Sequence, residues 1–317
     1  MTWWMWIAVF ALSQVLLVFF LLSYIIYRVL LVRSKPTKWG RTCSQPDDPE
    51  YARMYEQALQ WAEPYADRIE EVSITNDGLK LCGQFIDFGA KQTVIVIPGR
   101  TEACQYSYFF SEPYRKAGFN ILAIDNRSHG WSEGKRVSLG FKEYRDILAW
   151  GKYLHEVRGS EAVILHGICI GASVGLFALT SPDCPDYFRG MTADGMYSTF
   201  YQSFKNHMIE DKRPLYPYLY LVMMYIRLLS GANVVTDGPV KRMPLLKKPI
   251  LFLHSKEDKY SLPNLAQELY NSCTSEKKLV WFETGAHSRL RINHPERYDQ
   301  AIEDFWGDQK NNWEELS

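Results

Sequence analysis

The chain has 317 residues, 47% of them hydrophobic, and 36 basic against 36 acidic side chains give a formal net charge of zero. That length accommodates one α/β domain with an appendage. The matched charges exclude a basic nucleic-acid-binding domain, no GxxxxGK[ST] phosphate loop occurs, and no Cys or His pair has zinc spacing.

The N-terminus reads as a membrane span. Trp3 to Tyr27 carries no charge, and its clearly polar residues are Ser13, Gln14 and Ser23. Such a run is long enough to cross a hydrocarbon core. Trp3, Trp4 and Trp6 at one end and Tyr24 and Tyr27 at the other suit interface anchors. The alternative is a cleaved signal peptide. Against it, no basic segment precedes the run, the run is too long, and no small-x-small cleavage site follows. Arg28, Arg33, Lys35, Lys38 and Arg41 all flank the C-terminal side, so the positive-inside rule predicts a single-pass membrane protein with its main domain in the cytoplasm. Residues 1–33 are then a transmembrane anchor, 34–66 a Pro-containing linker and a leading helix, and 67–317 the main domain.

Arg68 to Thr75 and Leu79 to Phe88 alternate as strands around Asn76-Asp77-Gly78, a hairpin signal. Thr93 to Ile97 is a buried-type strand running into Pro98-Gly99-Arg100-Thr101. Ile121 to Ile124 is another, followed by Asp125-Asn126-Arg127-Ser128-His129-Gly130-Trp131-Ser132-Glu133-Gly134. Phe141 to Val157 reads as a helix. Next comes the apolar run Ala162 to His166, then Gly167-Ile168-Cys169-Ile170-Gly171, then a stretch of small residues. This is the strand–turn–helix setting of a nucleophile elbow, with Cys169 where serine is usual. The glycines permit close backbone approach, and the helix start favours the negative charge of a thiolate or oxyanion. A second register, Gly171-Ala172-Ser173-Val174-Gly175, would make Ser173 the nucleophile. Cys169 is preferred because the sharp turn belongs directly after the strand.

Beyond the strand 189–194 lies an insertion at about 197–245, rich in tyrosine, methionine and leucine, read as a cap or as an ordinary packed helix. Two strands follow. Pro249 to His254 ends before Asp258, and Lys278 to Phe282 ends before His287. Nucleophile, acid and histidine therefore occur in the order that acyl transfer requires in one known fold. The six cysteines (43, 82, 104, 169, 184, 273) lack framework spacing and read as reduced thiols.

From residue 69 to about 306 the chain resembles the α/β-hydrolase superfamily, closest to its serine-aminopeptidase-like and dienelactone-hydrolase-like branches. The signature Asp-x-Arg-x-His-Gly-x-Ser-x-Gly at 125–134 carries the resemblance together with the elbow. It implies a mostly parallel central sheet flanked by helices, a helical cap, and a scaffold role for Asp125, Arg127 and His129. It also implies oxyanion amides from Ile170 and, in the turn after 93–97, from Arg100. Departures are Cys169 for serine and Pro98 where histidine is common. The expected activity is cleavage or transfer of an acyl group, as ester or thioester, with Cys169 attacking, His287 moving the proton and Asp258 orienting His287. The substrate is expected to be a small, hydrophobic acyl compound, and the chemistry calls for no metal or cofactor. The alternatives are a silent hydrolase fold serving as a membrane-attached binding module, or a serine enzyme using Ser173.

Overall fold

The computed structural model describes residues 2–315. An eight-stranded sheet has the order β1-β2-β4-β3-β5-β6-β7-β8. The strands are β1 Ile69–Asn76, β2 Leu79–Ile86, β3 Gln92–Ile97, β4 Asn120–Ile124, β5 Ala162–Ile168, β6 Phe188–Asp194, β7 Ile250–Ser255 and β8 Lys277–Phe282. β1 and β2 are antiparallel around the expected hairpin, β2 is antiparallel to β4, and every other pairing is parallel.

The helices of ten or more residues are α1 Trp3–Leu31, α2 Pro49–Ala62, α3 Glu143–Glu156, α4 Ile170–Leu179, α5 Phe200–Glu210, α6 Tyr218–Ser230, α7 Pro263–Ser272 and α8 Pro295–Glu315. Parallel strands buried on both faces read as unbroken apolar runs, and alternate residues serve opposite layers. In β3, Ile95 and Ile97 join Ile147, Trp150 and Leu154 of α3 on one side. Val94 and Val96 join Met54 and Ala58 of α2 and Trp306 of α8 on the other. The stretch 197–245 contains α5 and α6, which share a third apolar cluster with Tyr27 and Leu31 of α1.

α1 is long and apolar enough, by length and composition, to cross a membrane. Its C-terminal end and the segment after it are tied to the main domain by the following contacts. Val32 forms a β-bridge with Arg136. Arg33 donates to the carbonyls of Ser132 (3.0 Å) and Gly130 (2.7 Å). Trp39 is buried and stacks on His129 with centroids 4.8 Å apart. Arg41 reaches the buried Asp125 carboxylate at 2.8 Å. Lys38 Nζ donates to the carbonyls of Val29 (2.7 Å) and Val32 (2.6 Å), closing the helix end that has no internal partners. Burial, with Arg100 and Arg28 nearby, lowers the Lys38 pKa to about 8. Long cationic and aromatic side chains find buried acceptors here.

The 125–134 segment is bracing. Arg127 clasps Asp146 of α3 through Nε (2.6 Å) and Nη2 (2.7 Å). The Asp125 carboxylate accepts from the amides of Cys104 and Trp131, both at 3.0 Å. Gly130 has φ +48°, and a Cβ there would lie 2.2 Å from that carboxylate.

Candidate active site

β5 ends at Ile168, α4 starts at Ile170, and Cys169 alone makes the turn, with φ 53° and ψ −109°. This is strained backbone for a non-glycine residue, and such strain collects at functional positions. Close packing enforces it. A Cβ on Gly167 would lie 2.4 Å from Ala172 Cα, and one on Gly171 would lie 2.1 Å from the Ile97 carbonyl oxygen. The Cys169 amide donates to the Asp194 carbonyl at 2.8 Å, tying the turn to the end of β6. Ser173 lies a full turn into α4 and is buried there, away from the bend.

Asp258 and His287 sit in the loops after β7 and β8. His287 Nδ1–H donates to Asp258 Oδ2 at 2.7 Å. The other Asp258 oxygen accepts the backbone amides of Tyr260 (2.9 Å) and Ser261 (2.8 Å), so the carboxylate cannot swing. Burial alone would raise the Asp258 pKa, but His287 and these bonds outweigh it and hold the group below the usual carboxylate range. Burial also opposes the His287 imidazolium. The Asp258 and Cys169 negative charges prevail and raise the His287 pKa well above its ordinary value. The ring's Nε2 is buried without a hydrogen-bond partner of full geometry, while Cys169 lies close enough to raise the His287 pKa. Gly195, at φ +61°, leaves room for the ring: a Cβ there would stand 3.1 Å from His287 Cε1. Glu257 ties the two loops together by accepting the Gly285 amide at 3.2 Å.

Cys169 lies where two cavities meet. One, about 400 Å³, is polar and includes Arg100, Glu102, Tyr260, His287 and Arg289. The other, about 200 Å³, is mostly apolar, walled by Leu30 of α1, by Tyr197, and by Phe200, Phe204 and Met208 of α5, with Arg213 also at its wall. Arg100, His207 and Asp211 border both. Ile170 heads α4 beside Cys169, and Arg100 follows the end of β3. Burial lowers the His129 pKa, against the opposing pull of the Arg100 and Arg127 carbonyls. Its Nδ1 lies 3.0 Å from the Arg127 carbonyl and its Nε2 2.7 Å from the Arg100 carbonyl, which ties the ring to the loop carrying the Arg100 amide.

Sequence reasoning did not single out Glu102, His207, Tyr260 or Asp194. His207 stacks on Tyr260 at 3.6 Å, across from the His287 loop. Asp194 is wholly buried at the end of β6, its Oδ2 accepting from Tyr298 at 2.7 Å while Oδ1 has no hydrogen-bond partner. Burial raises its pKa to about 7. Nothing in the run Thr192-Ala193-Asp194-Gly195 signals that setting.

The overall fold is similar to that of solved hydrolases. The Pyrococcus furiosus esterase Pf2001 aligns at TM-score 0.65 and 25% identity, over 77% of this chain and 92% of that one. An α/β hydrolase from Vibrio vulnificus aligns at TM-score 0.59 and 17% identity, over 78% and 85%. The chain has the α/β-hydrolase fold. Among sequence relatives, the uncharacterised protein YqkD of Bacillus subtilis is 26% identical over 215 residues, 67% of this chain and 70% of YqkD. A Saccharomyces cerevisiae protein, YNL320W, named an uncharacterised membrane protein, is 23% identical over 235 residues, 73% of this chain and 77% of its own. No family model matches the chain.

Proposed function

We propose that this protein is a membrane-anchored hydrolase that cleaves or transfers acyl groups, from esters or thioesters, through a thioester on Cys169. The observation that carries the reading is the strained Cys169 turn beside the Asp258–His287 pair, at the junction of a polar and an apolar cavity. A hydrolase fold shared with a named esterase agrees with it.

In this mechanism the Cys169 thiolate attacks the substrate carbonyl carbon. The Ile170 and Arg100 amides receive the developing oxyanion, the role for which fixed backbone donors are most effective. The tetrahedral species collapses, and the His287 imidazolium protonates the departing oxygen or sulfur. His287 then takes a proton from water, or from an acceptor alcohol, as that oxygen attacks the thioester. Collapse releases the acid or new ester and restores the thiolate, with His287 protonated. Asp258 steadies the imidazolium throughout. The apolar cavity takes the acyl chain and the polar cavity takes the leaving group.

Intact-mass measurement after mixing with activated esters tests this. One acyl mass should add at Cys169, be lost in Cys169→Ala, and persist in Ser173→Ala. Acylation of Ser173, or turnover surviving Cys169→Ala, would refute it. The uncharged run Trp3–Tyr27 of α1, with cationic residues on one side only, supports anchoring with the catalytic domain in the cytoplasm. Retention in membranes through high-salt washing is expected, since salt screens charge and not apolar insertion. Protease outside intact cells should leave the domain uncut.

A further inference from the structure

α6 is paired with α1 along a stretch that a bilayer must cover. Phe19 meets Tyr218 edge-on at 5.7 Å, Tyr24 meets Tyr225 at 5.4 Å, and the Tyr225 hydroxyl donates to the Phe20 carbonyl at 3.2 Å. Farther down, Arg136 bridges Val32 of the α1 end to the carbonyl of Leu229. The two helices therefore run side by side in the same direction. Above Phe19, α1 offers only Trp3–Val18, about 24 Å at a rise of 1.5 Å per residue. A hydrocarbon core is about 30 Å thick. If α1 spans, the bilayer must reach past Phe19 and meet α6.

The charges mark the same plane. α1 is uncharged up to Arg28, and the segment Pro214–Ile226 is uncharged up to Arg227. Both arginines are exposed, at matching heights on the paired helices. Tyr218 stands nine residues before Arg227, about 13 Å along the axis, close to half of that core thickness. Tyr216 is 71% exposed and Tyr220 49%, two aromatic side chains that no other part of the described chain covers, their hydroxyls 3.4 Å apart. Pro214 and Pro217 remove two amide donors from the turn at the top, where lipid could not satisfy them. Leu30, two residues past Arg28, forms part of the wall of the apolar cavity beside Cys169.

We propose that the Pro214–Ile226 segment is embedded in the leaflet next to the catalytic domain, and that the substrate is an acyl lipid resident in that leaflet. Its chain enters the Leu30–Phe204–Met208 cavity directly from the bilayer. This rests on the acyl-transfer reading for its substrate and on the anchor for its geometry.

The test uses the full chain in phosphatidylcholine vesicles containing a phosphatidylcholine with a photoactivatable group in its acyl tail. Cross-linked peptides should include Pro214–Ile226. Cross-links confined to residues of α1 would overturn the embedding. Tyr220→Glu, which places a charge on the embedded face, should slow hydrolysis of a long-chain lipid ester in the vesicles at least tenfold. It should leave a short, water-soluble ester unaffected, and Tyr220→Phe should leave both unaffected. Equal turnover of the lipid ester by Tyr220→Glu and the parent chain, or equal slowing of both esters, would overturn the lipid substrate. Cross-linking needs no turnover, so failure of the Cys169 mechanism would appear separately, as short-ester turnover persisting in Cys169→Ala.

Discussion

Asp194→Asn isolates the cost of a buried carboxylate beside the proposed triad. The Asp194 pKa rises from an ordinary value near 4 to about 7, because burial penalises the anion more than the Tyr298 hydroxyl helps it. A raised folded-state pKa means stability that is complete below the unfolded value and drains away as pH rises through the folded one. Relative to a neutral side chain, Asp194 then costs under about 2 kcal/mol at pH 5 and about 4 kcal/mol at pH 8. Asn keeps an oxygen for Tyr298 but carries an amide group where Oδ1 lacked a partner, and that penalty does not change with pH. The stability of Asp194→Asn minus that of the parent chain should therefore rise by about 3 kcal/mol between pH 5 and pH 8. For a chain of this size that is on the order of 5–10 °C in melting midpoint. Thermal melts of both proteins across that range, in one detergent or nanodisc, measure it. Parallel curves for the two would show that Asp194 is not the strained anion described.

Asp258→Asn should lower turnover by about 10³–10⁴-fold, as loss of the orienting acid does in comparable triads. Because the Asp258 charge raises the His287 pKa, the alkaline limb of the pH–rate profile should also move to lower pH. An unmoved limb would argue against imidazolium stabilisation by Asp258. Gly171→Ala should wedge α4 away from the β3 turn, since its Cβ would meet the Ile97 carbonyl oxygen at 2.1 Å. Separating the Ile170 and Arg100 amides should cost on the order of 100-fold in kcat, with the circular dichroism spectrum retained. Unchanged kcat in the folded variant would remove Arg100 from the oxyanion role.

What the chain determined by itself was periodic or local. Unbroken apolar runs at 93–97, 121–124, 162–166 and 249–254 specify buried parallel strands, because such strands need apolar residues on both faces. Asn-Asp-Gly specifies the hairpin, and glycines around Cys169 specify a turn that no bulkier residue could make. The order of Cys169, Asp258 and His287 was legible for the same reason, each lying just past a strand end. Tertiary structure decided what depends on partners remote in sequence. Nothing local in the linker shows that Arg33, Trp39 and Arg41 will meet Gly130, His129 and Asp125. Asp194 carries no local mark, because its raised pKa comes from burial created by other elements. Nor could composition tell whether Tyr218–Ser230 caps the site or packs as an ordinary helix on the domain. Its pairing with α1 follows from contacts some two hundred residues apart, fixed only when the sheet has set this stretch beside α1.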